Sequence, residues 1–428
     1  MVITNRAQVC DTRRVQDVID ILEAGLDAAN PANIIPDFVQ KDALYINDDW
    51  MSLDRYDNVY TIAFGKAADS MSRTVNRLLN VKSGVVIVPK DSKPQIRGNR
   101  FRLYRAGHPY PDRYSVAAAK DAIKFLSNRR HDDFVLFLVS GGASSLLALP
   151  DGITLSDKMH CTQALLQSGA SISEINCVRK HISKIKGGRL LNHMKCHGAS
   201  LIMSDVEGDN PDTIASGTTY MDSTTFDDAL QIIERFNLAS NIHNSIMDRL
   251  LDGAAGLIDE TPKDQATPYQ IIANNATCLK AMLRSAKDKG YDTNTTQQYG
   301  MIEDVADCLV KSAPQSGECL VFGGEPTVRV TGRGRGGRNQ ELVLRVAQMN
   351  ANQSLIIASM GTDGIDGNTR VAGAIHRGLL QDRDLAASCI HDNNSFTYFE
   401  RHNGLIKTGH TNTNLADIGL AISGHPRG

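Results

Sequence analysis

Short apolar runs alternate along the chain with longer stretches whose apolar residues recur at helical spacing. NVYTIAF (58–64) predicts a strand, and KAADSMSRTVNRLL (66–79) then predicts a helix. SGVVIVP (83–89) and FRLYRAG (101–107) predict two further strands and SVAAAKDAIKFL (115–126) a second helix. DFVLFLV (133–139) and ASLIMSD (199–205) predict buried strands. These strands are nearly continuous apolar runs rather than period-two patterns, which implies a parallel sheet covered by helices on both faces, an α/β fold.

The pattern restarts in the second half. YQIIA (269–273), ECLVFGG (318–324), TVRV (327–330) and SLIIASM (354–360) predict strands, with helices over ATCLKAMLRSAKDKG and QELVLRVAQMN. A mainly helical stretch at 226–251 and a polar, Pro-containing segment at 260–268 separate the halves. Two domains are expected, 1–240 and 241–428, with the boundary near 240.

Composition narrows the class. The 428 residues are 41% hydrophobic and 22% charged, enough for packed cores and too apolar for wholesale disorder. A net charge of -2 argues against a nucleic-acid partner, which calls for a strongly basic domain. Eight cysteines without a C-x-x-C pair fit free thiols in a reducing compartment, and HMKCH (193–197) lacks the second half of a zinc site. The N-terminus shows no apolar signal region and no run of 18 apolar residues exists, so a soluble, cytoplasmic protein is expected.

Ligands of open α/β sheets bind beyond the carboxyl ends of the strands, so those ends carry the candidate chemistry. After the first strand comes Gly65-Lys66-Ala67. A lysine at a helix start is electrostatically misplaced unless an anion sits there. After 133–139 comes the turn Ser140-Gly141-Gly142-Ala143-Ser144-Ser145, whose N–H groups and hydroxyls suit a carboxylate or phosphate. It lacks the last glycine of G-x-S-x-G, so it is not a nucleophile elbow. Asp205 closes 199–205 and heads the acidic loop to Asp212; Asp363 and Asp366 follow 354–360 in GTDGIDG. Acids so placed bind Mg²⁺ or orient a hydroxyl. Finally GRGRGGRNQE (332–341) matches G-x-G-x-x-G through Gly332, Gly334 and Gly337, while Arg333, Arg335 and Arg338 suggest a triphosphate more than a dinucleotide. One RGG unit between strand and helix is a poor RNA-binding tract. Lysine, arginines, a Ser/Gly turn and acidic loops are together the parts of phosphoryl transfer.

Several stretches carry a resemblance to a known family: AFGKAADSM (63–71), GHPYPD (107–112), VSGGASSLLALP (139–150), INCVRKHISKIKGGRL (175–190), SDVEGDNPDTIASGTT (204–219), GGEPTVRVTGRGRGGRNQE (323–341), GTDGIDG (361–367) and KTGHTNTNLAD (407–417). In this order they resemble the glycerate 2-kinase family with a MOFRL-type C-terminal domain. The resemblance implies ATP-dependent phosphorylation of D-glycerate at O2, with Mg²⁺. It also implies a Rossmann-like parallel-sheet N-terminal domain, a smaller MOFRL-type α/β domain and a cleft site between them. Carried over by motif, Lys66 and Arg338 are the catalytic cations, and Asp205 and Asp363 handle Mg²⁺ or the hydroxyl. Asp366 joins the metal candidates. Ser140, Gly141, Gly142, Ser144, Ser145, Arg179, Arg333, Arg335 and Glu325 are expected to bind substrate or phosphate. The assignment of Arg179 and the 140–145 turn to the glycerate carboxylate rests on anion chemistry rather than on the family. The expected partner is a small sugar acid, with no nucleic acid or membrane, and a homodimer is allowed.

The chain departs from the family pattern at Ala143, Glu207, Thr218, Asn368, Arg370, His410 and Asn412. Arg370 in place of an acid would favour a more anionic acceptor, such as a longer sugar acid. An NAD(P)H-dependent hydroxypyruvate reductase is the rival reading, supported by the glycine motif. Against it, the ribose-binding acid expected about 20 residues beyond the glycines is missing.

Overall fold

A computed structural model describes residues 2–426. The chain forms two compact units, one running from Ile34 to Ile272, the other joining the stretch up to Asn33 with the stretch from Ala273 onwards.

The unit Ile34–Ile272 begins with an antiparallel meander of β1 (Val39–Gln40), β2 (Ala43–Ile46) and β3 (Asp49–Ser52). Its main sheet holds β4 (Asn58–Phe64), β5 (Val81–Pro89), β6 (Phe101–Ala106), β7 (Asp133–Ser140), β8 (His197–Met203) and β9 (Tyr269–Ala273). The order is β6-β5-β4-β7-β8-β9, with β4 parallel to both β5 and β7. This is the doubly wound order, in which the chain moves outward on one side and then restarts on the other. The reversal lies between β4 and β7, where the loops after the two strands part and leave a crevice. All eight positions of β7 are buried, which is why its sequence is a continuous apolar run. The helix Arg113–Ser127 lays Ala118, Ala122 and Phe125 on one face of this sheet. Its first turn is fixed by Asp112, which accepts from the N–H groups of Tyr114 and Ser115.

The other unit carries β10 (Asp292–Met301), β11 (Glu318–Thr327), β12 (Ile356–Gly361), β13 (Gly373–Arg377), β14 (Leu405–Ile406) and β15 (Asp417–Ile422). The order is β10-β11-β15-β12-β13-β14. β10 and β11 are parallel; β15 lies between β11 and β12, antiparallel to both. The second sheet is therefore mixed, not the parallel repeat that the alternation suggested. The strand expected at 327–330 is absent beyond Thr327, where β11 ends and the glycine loop begins.

The boundary expected near 240 falls inside the first unit, whose sheet still has to receive β9. The reason for the second crossing lies at the N-terminus. The helix Arg13–Ala28 buries Val15, Val18, Ile19, Leu22 and Leu26. At Gly25 a Cβ would stand 2.8 Å from Met282 of the helix Asn275–Asp288 and 3.1 Å from Ile418 of β15. This helix thus belongs to a core made by residues far along the chain. All eight cysteines are unpaired. Among the described residues, no helix is long and apolar enough to cross a membrane.

Candidate active site

In the unit Ile34–Ile272 the ends of β4 and β7 are locked together at the crevice. Lys66 N–H donates to the Gly141 carbonyl (2.9 Å) and Ala67 N–H to Ser140 Oγ (3.0 Å). Gly65, at φ +132°, has no room for a side chain, since a Cβ would lie 2.1 Å from Ser140 Oγ. Ser140 is fully buried and its oxygen is committed to this latch, so it positions the turn rather than meeting a ligand. Ser145 is likewise buried and donates to the Gly142 carbonyl (3.2 Å). The helix that the turn opens, Ala143–Leu146, is a single turn. Gly142 and Ser144 are the partly exposed members. Gly142 adopts φ +80°, and a Cβ there would lie 2.9 Å from the His108 ring and 3.4 Å from Lys66 Cγ. His108 and Lys66 therefore flank the turn.

A chain of hydrogen bonds joins this turn to Arg179. Ser144 Oγ is 3.0 Å from Ser216 Oγ, Ser216 donates to Asn176 Oδ1 (3.0 Å), and Arg179 Nη1 donates to the same oxygen (3.4 Å). Burial pulls the Arg179 guanidinium down to about 10. Lys158 is brought to about 7 by burial and then by the Arg179 charge, and Lys186 falls well below its ordinary value for the same reasons. Among the described residues no carboxylate lies within ion-pair distance of these three cations. Burial and mutual repulsion disfavour the charged forms of these groups, and an anion arriving beside them would favour those forms.

The residue that closes this chain sits on a strained ridge. Ala215, Ser216 and Gly217 all have positive φ (54°, 56° and 62°), a conformation that L side chains avoid. Neighbours hold it in place: the Ala215 carbonyl accepts from Lys186 Nζ (2.9 Å) and Thr218 Oγ1 (2.7 Å), and the Ser216 and Gly217 carbonyls accept from the N–H groups of Gly187 and Gly188. Asp205 follows β8 and is partly exposed.

The second unit gathers Arg338. Its Nε and Nη2 take the two oxygens of Asp417 (2.5 and 3.1 Å), and Nη1 reaches Glu325 (2.5 Å). Burial opposes the Arg338 charge, but the two carboxylates outweigh it and raise its pKa. Burial also pushes the Asp417 carboxyl up to about 6 in spite of the guanidinium. Asp363 Oδ1 and Asp417 Oδ1 lie 3.1 and 3.5 Å from the point where Gly361 would carry a Cβ, so both acids converge above that glycine.

Asp366, expected to hold metal, is otherwise engaged. Its two oxygens accept from the backbone N–H groups of Asn339 (3.1 Å) and Gln340 (2.9 Å) and from their side-chain amides (3.3 and 2.8 Å). It is a buried carboxylate that caps the helix Arg338–Met349, with no lone pair directed outward. Among the described residues, no three of His, Cys, Asp or Glu are gathered as a metal-ligand set.

The glycine loop also differs from expectation. Thr331 and Gly332 N–H groups donate to Asn393 Oδ1, Arg333 N–H to Asp392 Oδ1 and Gly334 N–H to the Asp392 carbonyl. Arg335 N–H goes to Asn394 Oδ1 and Gly336 N–H to Asn368 Oδ1. The glycines let the two segments lie flat on one another: a Cβ on Gly332, Gly334 or Gly336 would come within 2.4 Å of Asp392, Asn394 or Ser395, and one on Gly337 within 2.3 Å of Asp366. The backbone is thus not an open phosphate cradle. Arg333 and Arg335 point outward as exposed side chains, and the Arg335 guanidinium stacks 4.2 Å over Phe396.

Sequence reasoning named Lys66, Arg179, Ser144 and Arg338 but passed over His108, Asn176, Ser216 and Asp417. Each lies inside a stretch that carried the resemblance, yet only the tertiary fold sets it beside its partner.

Two family models match the chain, a domain of unknown function (DUF4147) over residues 17–251 and the MOFRL family over 318–417. The glycerate 2-kinase of Pyrococcus horikoshii is 37% identical over 86% of this chain and 88% of its own. A protein of Agrobacterium vitis provisionally named a hydroxypyruvate reductase is 36% identical over 85% of this chain and 86% of its own. The crystal structure of a Thermotoga maritima glycerate kinase matches with a TM-score of 0.78 at 31% identity, covering 95% of this chain and 98% of that one. The chain belongs to the DUF4147 and MOFRL family of glycerate 2-kinases.

Proposed function

We propose that this protein transfers the γ-phosphoryl group of ATP to O2 of D-glycerate, giving 2-phosphoglycerate and ADP. The observation that carries the reading is Arg179, a guanidinium without a carboxylate partner, tied through Asn176 and Ser216 to the turn at the sheet's reversal point. Such a group takes the acceptor's carboxylate by charge-assisted hydrogen bonds. In the transfer a P–O2 bond forms, the bond to ADP breaks and O2 gives up its proton. Asp205 shares its unit with Arg179 and Lys66 and is assigned to the acceptor hydroxyl. Lys66 in this unit and Arg338 in the other are each cations of the kind that stabilise charge spread over phosphoryl oxygens. Two carboxylates keep Arg338 ionised and fix its fork before substrate arrives.

Mg²⁺ takes oxygen ligands and binds through one or two carboxylates together with phosphates and water. Asp363 fits that donor chemistry, since it stands at a strand end beside Asp417. Asp366 does not, because its oxygens are filled. When bound, the ion would neutralise phosphate charge.

The reductase reading rests on the glycine motif, and the motif's N–H groups are already spent on Asp392, Asn393, Asn394 and Asn368. Purified protein with ATP, Mg²⁺ and D-glycerate, read through enolase without phosphoglycerate mutase, tests the proposal. Enolase signal supports it, and Lys66→Met or Arg338→Lys should lower kcat by about 100-fold or more. ADP release without enolase signal moves the reaction to another hydroxyl. Oxidation of NAD(P)H by hydroxypyruvate, without ADP release from glycerate, overturns it.

A further inference from the structure

The hydrogen bonds behind the turn have a fixed direction. Arginine carries donors only, so the Asn176 atom facing Arg179 Nη1 must be its oxygen. Ser216 spends its one proton on that same oxygen. It therefore has none left for Ser144, and the 3.0 Å contact between the two hydroxyls must use the Ser144 proton. The relay runs from Ser144 to Ser216 to Asn176, with Arg179 setting its sense from the far end. Ser144, partly exposed at the crevice, is left with lone pairs and no donor.

A group with only lone pairs repels a carboxylate. This corrects the expectation that Ser144 helps to grip the acceptor's anion. It is suited instead to a neutral donor, a hydroxyl. Nor can it be the base that deprotonates the reacting hydroxyl, because its own proton is retained and no acidic partner adjoins it in the relay. Resting on the kinase reading, we propose that Ser144 is a specificity residue that accepts a hydrogen bond from the acceptor's non-reacting hydroxyl, and that Ser216 is the positioning residue that fixes its polarity. For glycerate this is the C3 hydroxyl, beside the carboxylate assigned to Arg179. The substrate class is thereby a hydroxy acid with a second hydroxyl next to the one phosphorylated. A second observation supports a functional demand on Ser216. It and Ala215 occupy left-handed backbone, a conformation that L side chains avoid and that persists where the surroundings impose it.

The test compares D-glycerate with D-lactate, which lacks the C3 hydroxyl, using lactate as a competitive inhibitor of glycerate phosphorylation. In the parent enzyme, the Ki for lactate should exceed the KM for glycerate by at least about 10-fold, since a site built for a hydroxyl rejects the analogue lacking it. Ser144→Ala should raise the glycerate KM by about 10-fold or more and leave the lactate Ki within about two-fold, so the ratio collapses. Ser216→Gly suits the left-handed backbone and so keeps the fold, while it frees the Ser144 proton. It should shrink the ratio in the same direction, whereas Ser144→Thr in the parent, which keeps the hydroxyl, should retain most of it. A purely structural role would weaken both ligands together. Equal losses for glycerate and lactate, or a parent that does not discriminate, overturn the proposal while leaving the kinase reading intact. A parent that releases no ADP with glycerate instead removes the reading on which it rests.

Discussion

Replacing Gly334 with alanine separates two meanings of a glycine-rich loop. A Cβ there would lie 2.4 Å from Asn394 Cβ, 2.5 Å from the Asp392 carbonyl oxygen and 2.6 Å from Asn394 Cα. Backbone cannot swing aside as a flexible side chain does, so the loop must lift. Lifting breaks the bonds from Arg333 N–H to Asp392 Oδ1 (3.0 Å), Gly334 N–H to the Asp392 carbonyl (2.9 Å) and Arg335 N–H to Asn394 Oδ1 (3.0 Å). At about 0.5–1.5 kcal/mol each, three such bonds contribute about 1.5–4.5 kcal/mol to closing the loop. With about 1.4 kcal/mol per tenfold, Gly334→Ala should speed amide exchange across 331–336 and 392–395 by roughly 10- to 1000-fold. The assay is hydrogen exchange read by mass spectrometry, without nucleotide. The parent's 331–336 amides should be protected before any ligand is added. If they exchanged freely in the parent and slowed only when ATP was supplied, the loop would be a ligand cradle and the packing argument would be refuted.

Other perturbations reach different parts of the molecule. Asp366→Ala would strand the buried N–H groups of Asn339 and Gln340, and a cost of about 2–5 kcal/mol should appear as a lower urea midpoint; an unchanged midpoint would show that the cap is dispensable. Burial alone would raise the pKa of Glu260, but bonds from His181 and from the Phe226 and Thr261 N–H groups bring it to about 2. Its folded value is depressed, so its contribution to stability is present above the ordinary glutamate value and is lost as pH falls towards 2. Glu260→Gln should flatten the fall in urea midpoint over that window, and an identical acid profile would contradict the assignment. Gly65→Ala combines a positive φ with a 2.1 Å approach to Ser140 Oγ; it should break the latch beneath Lys66 and lower kcat more than it lowers the melting temperature, which a paired activity and thermal scan would reveal.

The first sheet was legible because its strands are buried on both faces and so spell themselves as apolar runs: DFVLFLV is β7 almost residue for residue. β10 was not legible. Its sequence, DTNTTQQYGM, is mostly polar because it lies at a sheet edge, where much of the strand meets water. For β15, no local signal says that it will lie between β11 and β12. The same limit applies to the site. Lys66 and Arg338 stood out because their charge sits beside a strand end or a helix start. Asp366 looked equally suitable, and only its four donors from Asn339 and Gln340 reveal a cap. Gly332, Gly334 and Gly337 satisfy a dinucleotide spacing, yet close approach to another loop demands the same absence of side chains as close approach to a pyrophosphate.

The helix Arg13–Ala28 has a consequence for how the chain is born. It leaves the ribosome long before the helix Asn275–Asp288 and β15 that cover its apolar face. At about 5–20 residues per second, the roughly 250 residues between it and even the first of these take about 12–50 s to synthesise. Throughout that interval the nascent chain carries an uncovered stripe of Val15, Val18, Ile19, Leu22 and Leu26, while the unit Ile34–Ile272 can already close upon itself. A ribosome that stops before the helix Asn275–Asp288 therefore releases a folded unit preceded by an uncovered apolar helix, the kind of product that holdase chaperones retain.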